Sequence, residues 1–177
     1  MDDTRNVIDK YKGQSVEAIS DDLDKNSVDL EIAVENTERD FNMGTIVRSA
    51  NAFGVRHVHV IGRKQWNKRG AMMTDKYLHV HYYADVDSFV DAMRERNRTI
   101  VAVDNIAGST PLAQTKLPKN AVFVFGQEGP GISGELAEVA ERIVAIEQFG
   151  STRSINVGVA AGIAMYAWLQ QHILQSD

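Results

Sequence analysis

Three short stretches of this 177-residue chain carry side chains suited to chemistry. The first runs from Asn42 to Arg48, Asn-Met-Gly-Thr-Ile-Val-Arg. An amide and a guanidinium nearly two helical turns apart fall roughly along one side of a helix. Arg48 interrupts an apolar run of Ile46, Val47 and Ala50, and a charge in such company needs a partner. A salt bridge to Glu128 or a neighbouring carbonyl would supply one. The rigid guanidinium fork clamping a phosphate or ribose oxygen would supply another. The second stretch is Gly126-Gln-Glu128-Gly129-Pro-Gly131-Ile-Ser133. Its glycines allow backbone to approach a ligand closely, although taken alone such a loop is more often a tight turn. It is not a Walker loop, since no Lys-Ser/Thr follows, and it is not GxGxxG. The third is Ser154-Ile-Asn156 with Arg153 beside it, opening a helix that is apolar almost all the way round. Ser or Asn there serves as an N-cap, and the free N–H groups of a helix start also form an anion or ligand site.

The elements that must position these groups alternate. Strands are expected at Val28–Val34, His57–Ile61, Val80–Tyr83, Thr99–Val103, Ala121–Phe125 and Arg142–Ile146. Helices are expected at Asn42–Phe53, with Gly54 as its stop, at Asp85–Asn97, at Ser133–Ala140 and from Val157 onward. Ala121–Phe125 has no polar side chain and should be central. This order predicts an α/β fold, a mainly parallel six-stranded sheet with helices on both faces, in one domain. Residues 1–14 are polar and expected to be poorly ordered, and Ser15 caps a short helix. Asn36–Asn42 reads as a loop, as does the basic Arg63–Gly70, which continues as a helical Ala71–Tyr77. The last helix has no polar face, so its own domain or a second subunit must enclose it.

Composition narrows the classes. With no cysteine, disulfides, thiolate metal sites and cysteine nucleophiles are excluded. The N-terminus is unlike a signal peptide and no apolar run is long enough to span a bilayer, which makes the cytoplasm the expected compartment. Net charge is −5, but it is segregated. Residues 1–40 hold 12 acids against 5 bases, whereas residues 41–82 hold 7 bases against Asp75 alone. A basic segment on an acidic body fits a polyanion, and equally a solvated surface. His57 and His59, like His79 and His81, alternate along strands, which suggests a rim or surface feature rather than a metal site.

Together, in this order, the segments NMGTIVRSANAFGV, VFVFGQEGPGIS and SINVGVAAGIAMYA resemble the SPOUT superfamily of RNA methyltransferases, specifically its SpoU (TrmH-like) type. The resemblance covers Val28 to the C-terminus, leaving residues 1–27 as a short polar extension ahead of a methyltransferase domain at 28–177. It implies transfer of a methyl group from S-adenosylmethionine to a ribose 2′-hydroxyl of tRNA or rRNA, without a metal, in a fold whose C-terminal segment forms a deep trefoil knot. It implies cofactor contacts from Val103, Gly126, Glu128, Gly129, Ile146, Gln148, Ile155 and Asn156, and an active-site set of Asn42, Arg48, Glu128, Ser154 and Asn156. Arg48 stays protonated at ordinary pH, so it suits a phosphate clamp, with Glu128 as the proton acceptor or the partner of Arg48. RNA would be gathered by Arg48, Arg63, Lys64, Lys68, Arg69 and Arg153, with Trp66 available to stack on an unpaired base. A homodimer through the C-terminal helix would complete each RNA site. The chain departs from the family in reading Ile146-Glu147-Gln148 where Ile-Pro-Met is usual, which frees the backbone and adds a negative charge near the cofactor loop. Two alternatives stand beside this: a knotted RNA-binding module without transfer activity, and a nucleotide-binding α/β enzyme using the Gly126–Gly131 loop.

Overall fold

The central strand is the one whose sequence is entirely apolar, Ala121–Phe125, and every one of its residues is buried. In the computed structural model, which describes residues 3–36 and 42–175, seven strands form one sheet. They are β1 (Glu31–Asn36), β2 (His57–Gly62), β3 (His79–Tyr83), β4 (Thr99–Val103), β5 (Thr110–Pro111), β6 (Ala121–Phe125) and β7 (Arg142–Ala145). Their order is β3-β2-β1-β6-β4-β7-β5, and every pairing is parallel. The expected count of six is corrected to seven. The added strand has two residues, too short to show a period, and pairs only at the sheet edge through Thr110 and Pro111, where a proline is tolerated.

Parallel strands need crossovers, and these carry the helices to both faces. Alternation along β6 separates the two layers: Phe123 and Phe125 point to one side, Val122 and Val124 to the other. The first side is covered by α2 (Met43–Ala52) and α5 (Val157–Leu169), through Ile46, Val47, Ala164, Met165 and Trp168. The second is covered by α3 (Val86–Glu95) and α4 (Gly134–Val139), through Phe89, Met93 and Leu136. Cap chemistry sets the helix starts: Ser15, Asp85, Ser133 and Asn156 each accept from backbone N–H groups of the first turn. Gly54, at φ 78°, follows α2 as its stop.

Three local expectations change. Residues 3–14, ahead of α1 (Val16–Lys25), are folded rather than loose. Tyr11 packs with Ile19 and Tyr77, and Asp24 of α1 pairs with Arg56 at 2.7 Å and His79 at 2.9 Å. The span from Ala71 to Tyr77 is not one helix: two 3-10 turns, Arg69–Ala71 and Thr74–Tyr77, are separated by Met72 and Met73 in left-handed conformation. The histidines are not a rim feature throughout. Register places His57 beside His79 and His59 beside His81, with the rings stacked, but α3 covers this face and His59 is fully buried against Phe89. His59 is satisfied there by Glu31 at 2.6 Å and the hydroxyl of Tyr83 at 3.0 Å. Among the described residues no group of three His, Asp or Glu is placed to hold a metal ion, and no helix is long and apolar enough to cross a membrane. Most of the expected Asn36–Asn42 loop lies outside the described residues.

Candidate active site

Ligands of open α/β sheets bind beyond the carboxyl ends of the strands, and three neighbouring strands end together here. The loops after β4, β6 and β7, with the start of α5, enclose a cavity of about 580 Å³, a size suited to a cofactor-sized molecule. All eight positions expected to bind cofactor line it: Val103, Gly126, Glu128, Gly129, Ile146, Gln148, Ile155 and Asn156. Ser154 and Arg153 line it as well.

The glycine loop is shaped by close approach. Gln127 and Gly131 exchange two backbone hydrogen bonds, at 3.1 and 3.0 Å, which folds the loop back on Gly126. A Cβ on Gly126 would lie 2.0 Å from the carbonyl carbon of Gly131, so only glycine fits. Gly131 itself has φ 76° and is pressed by the carboxylate of Asp104. That carboxylate accepts from Ile132 N at 2.9 Å and from Asn105 N at 2.7 Å, tying the β4 loop to the β6 loop. Sequence reasoning missed Asp104; the only signal was a carboxylate directly after a buried strand.

At the junction of the glycine loop with α2 and α5 sits a polar triad. Asn42 Nδ2 donates to Glu128 Oε2 at 2.8 Å, and Asn156 Nδ2 donates to Asn42 Oδ1 at 3.0 Å and to Glu128 Oε1 at 3.4 Å. Asn156 Oδ1 meanwhile accepts from Gly158 N at 3.0 Å and Val159 N at 3.3 Å. One amide therefore both caps α5 and orients a carboxylate against the cavity. Glu128 is held by these two amides and not by Arg48, contrary to one expectation. Arg48 lies on the exposed side of α2, is not among the cavity residues, and has no hydrogen-bond or ion-pair partner among the described residues. Its neighbours Ile46, Val47 and Ala50 are buried, but the helical turn carries Arg48 out with Thr45, so no buried charge has to be compensated.

Glu147 does not face the cavity. Its Oε1 accepts from Ala113 N at 3.1 Å, in the 3-10 turn Leu112–Gln114, so its charge is spent on a loop contact. Gln148 does line the cavity, and its Oε1 is buried without a donor among the described residues. An acceptor in that state is matched by a ligand bringing an N–H group.

Of the basic loop, Arg63, Lys64, Lys68 and Arg69 are exposed. Lys68 pairs with Asp75 at 2.8 Å. Trp66 is not available for stacking: only 8% of it is exposed, it packs in the layer under α2, and Lys68 Nζ sits 5.4 Å over its ring. The loop folds back onto α2, where Gly44 meets Gly70 so closely that a Cβ on Gly44 would be 2.7 Å from Ala71 N. That contact turns the indole inward.

A family model described as SpoU rRNA Methylase matches residues 29–166. The tRNA (guanosine(18)-2′-O)-methyltransferase of Aquifex aeolicus is 31% identical over 151 residues, covering 81% of this chain and 70% of that protein. Among solved structures, the A. aeolicus TrmH/SpoU tRNA modifying enzyme superposes with TM-score 0.76 at 26% identity, covering 88% of this chain and 81% of that one. An AdoMet-bound rRNA methyltransferase from Sinorhizobium meliloti superposes with TM-score 0.74 at 25% identity, covering 81% and 57% of the two chains.

Proposed function

The chain belongs to the SpoU rRNA methylase family, and we propose that it transfers the methyl group of S-adenosylmethionine to a ribose 2′-hydroxyl of tRNA or rRNA. The observation that carries this is the convergence of three strand-end loops on one cavity with the Asn42–Glu128–Asn156 triad at its edge. The residues present suit the cofactor. Close-packed glycine backbone at Gly126 and Gly131 offers a cradle, and the orphaned Gln148 Oε1 offers an acceptor for an amino group. When bound, S-adenosylmethionine supplies an electrophilic methyl group on a sulfonium.

The chain's own residues supply position and a base. Holding two reactants in line is worth about 7–11 kcal/mol in favourable cases, and the cavity walls do this. Glu128, fixed by two amides, accepts the proton of the ribose hydroxyl. Ser154 and Asn156 orient the ribose beside it. Arg48, exposed and permanently charged, clamps a phosphate and draws the neighbouring hydroxyl toward ionisation. Arg63, Lys64 and Arg69 extend the positive surface, with Arg153 at the cavity wall.

Two copies pair through α5. Support comes from an outward apolar stripe, Val159, Ile163 and Tyr166, continued by Ile173 and Leu174, all between 41% and 60% exposed. Arg48 stands on the helix that α5 packs against, so pairing there brings it toward the neighbouring subunit and lets each copy complete the other's RNA site. Within each copy the C-terminal segment is a deep trefoil knot, a reading supported by the loops after β4, β6 and β7 meeting the segment that leads into α5 at one cavity. Residues 28–177 form the methyltransferase domain, with 1–27 as its extension, and the cytoplasm is its compartment. The test is incubation of the full chain with S-adenosylmethionine and transcribed tRNA or rRNA, followed by nuclease digestion and mass spectrometry. A 2′-O-methylated nucleoside is expected; methylation confined to bases, or none on either RNA class, sinks the proposal.

A further inference from the structure

Phe149 is 97% exposed, and no other large apolar side chain among the described residues stands so far out. It is not on a remote loop. Its neighbour Gln148 and, four residues on, Arg153 both line the cavity. The whole stretch 149–154 is exposed, and a Cβ on Gly150 would meet nothing within 4 Å, so the ring is carried clear of the body at the cavity mouth. Trp66, the aromatic residue that the sequence offered for stacking, is buried. The other exposed rings, Tyr82 and Tyr166, belong to β3 and to the outward stripe of α5.

We infer that Phe149 stacks on an unpaired base of the RNA substrate at the cavity mouth, while Arg153 holds the adjoining phosphate. This rests on the proposed transfer to RNA and adds to it the residue that positions the nucleotide. A flat ring in water offers any base a face to stack on without selecting its identity, and a guanidinium four residues away supplies the charge that a sugar–phosphate backbone requires. Stacking of the base fixes the rotation of the nucleotide and so turns its ribose toward Glu128. Phe149 is thus a positioning residue: it acts on the reaction through the base it holds.

The test uses the full chain, S-adenosylmethionine and unfractionated tRNA. Phe149→Ala is expected to raise KM for RNA about tenfold or more, with cofactor affinity by calorimetry and mass by light scattering unchanged. Phe149→Tyr, which keeps the flat ring, is expected to restore wild-type kinetics, whereas Phe149→Leu, apolar but without a ring to stack, is expected to behave like Phe149→Ala. Phe149→Trp places a fluorophore at the mouth against the constant background of buried Trp66 and Trp168, and its emission is expected to fall on adding RNA. A wild-type KM in Phe149→Ala overturns the inference. So does emission of Phe149→Trp that RNA leaves unmoved, or a Phe149→Ala chain that has become monomeric, since the ring would then belong to a subunit contact. A wild-type chain that transfers no methyl group to RNA counts against the broader proposal, and the fluorescence titration then decides Phe149 by itself.

Discussion

Replacing Gly126 by Ala adds one methyl group where there is no room for it. Its Cβ would meet the carbonyl carbon of Gly131 at 2.0 Å, the carbonyl oxygen at 2.2 Å and Ile132 N at 2.2 Å. Ordinary carbon contacts are about 3.5–4.0 Å, so backbone must give by more than an ångström, and no flexible side chain is there to give instead. The loop can open only by parting Gln127 from Gly131, which breaks hydrogen bonds of 3.1 and 3.0 Å. Two such bonds contribute about 1 kcal/mol each, and residual overpacking adds about 1–3 kcal/mol. A penalty of about 3–5 kcal/mol on the cradle-shaped state corresponds to a loss of cofactor affinity of roughly two to four orders of magnitude. Calorimetric titration with S-adenosylmethionine reads this directly. Gly150→Ala is the control, because its Cβ has nothing within 4 Å, and its titration should match that of the unaltered chain. A Gly126→Ala chain that binds S-adenosylmethionine within about threefold of the unaltered protein would falsify the close-approach account of the glycine loop.

Glu128→Gln keeps the size of the side chain and the 2.8 Å contact with Asn42, gives up the longer one with Asn156, and removes the proton acceptor, so methyl transfer should fall by about 10²–10⁴-fold; unimpaired turnover would remove Glu128 from the chemistry. Val159→Glu puts a charge on the α5 stripe and should yield a monomer by light scattering at micromolar concentration; an unchanged dimer would place the interface elsewhere. Burial, together with the charges of neighbouring side chains, lowers the pKa of His57 and of His81 to about 4. The unfolded chain takes up these protons from about pH 6.5 and the folded one only near pH 4, so stability is fully present above pH 6.5 and declines as pH falls toward 4. Thermal melts across this range should show the decline, and a chain carrying His57→Gln and His81→Gln should show less of it. Trp66→Phe should leave RNA affinity unchanged in filter binding, since the indole is buried; a marked loss would mean that the ring reaches RNA after all.

Six of the seven strands and the helices on both faces were legible in the sequence, because each is written locally, whereas the eight expected cavity positions came from the likeness of three motifs to a known family. Short apolar runs such as Thr99–Val103 and Ala121–Phe125 and capping residues such as Ser133 and Asn156 declare themselves within a few residues. What tertiary structure alone decided is which side of an element faces what. Trp66 reads as a free aromatic in a basic loop until Gly44 and Gly70 meet and press it under α2. Arg48 reads as a charge trapped among apolar neighbours until the helix turns it outward. His59 reads as a rim residue until α3 covers it, and Glu147 reads as a cavity charge until it binds Ala113. Asp104 shows locally only as a carboxylate directly after a buried strand, and Phe149 shows nothing, since their parts depend on a chain segment 28 residues distant or on exposure, neither of which sequence spacing encodes. Local propensity fixes the elements, whereas the orientation of a side chain is set by long-range packing, and most of this site consists of such orientations.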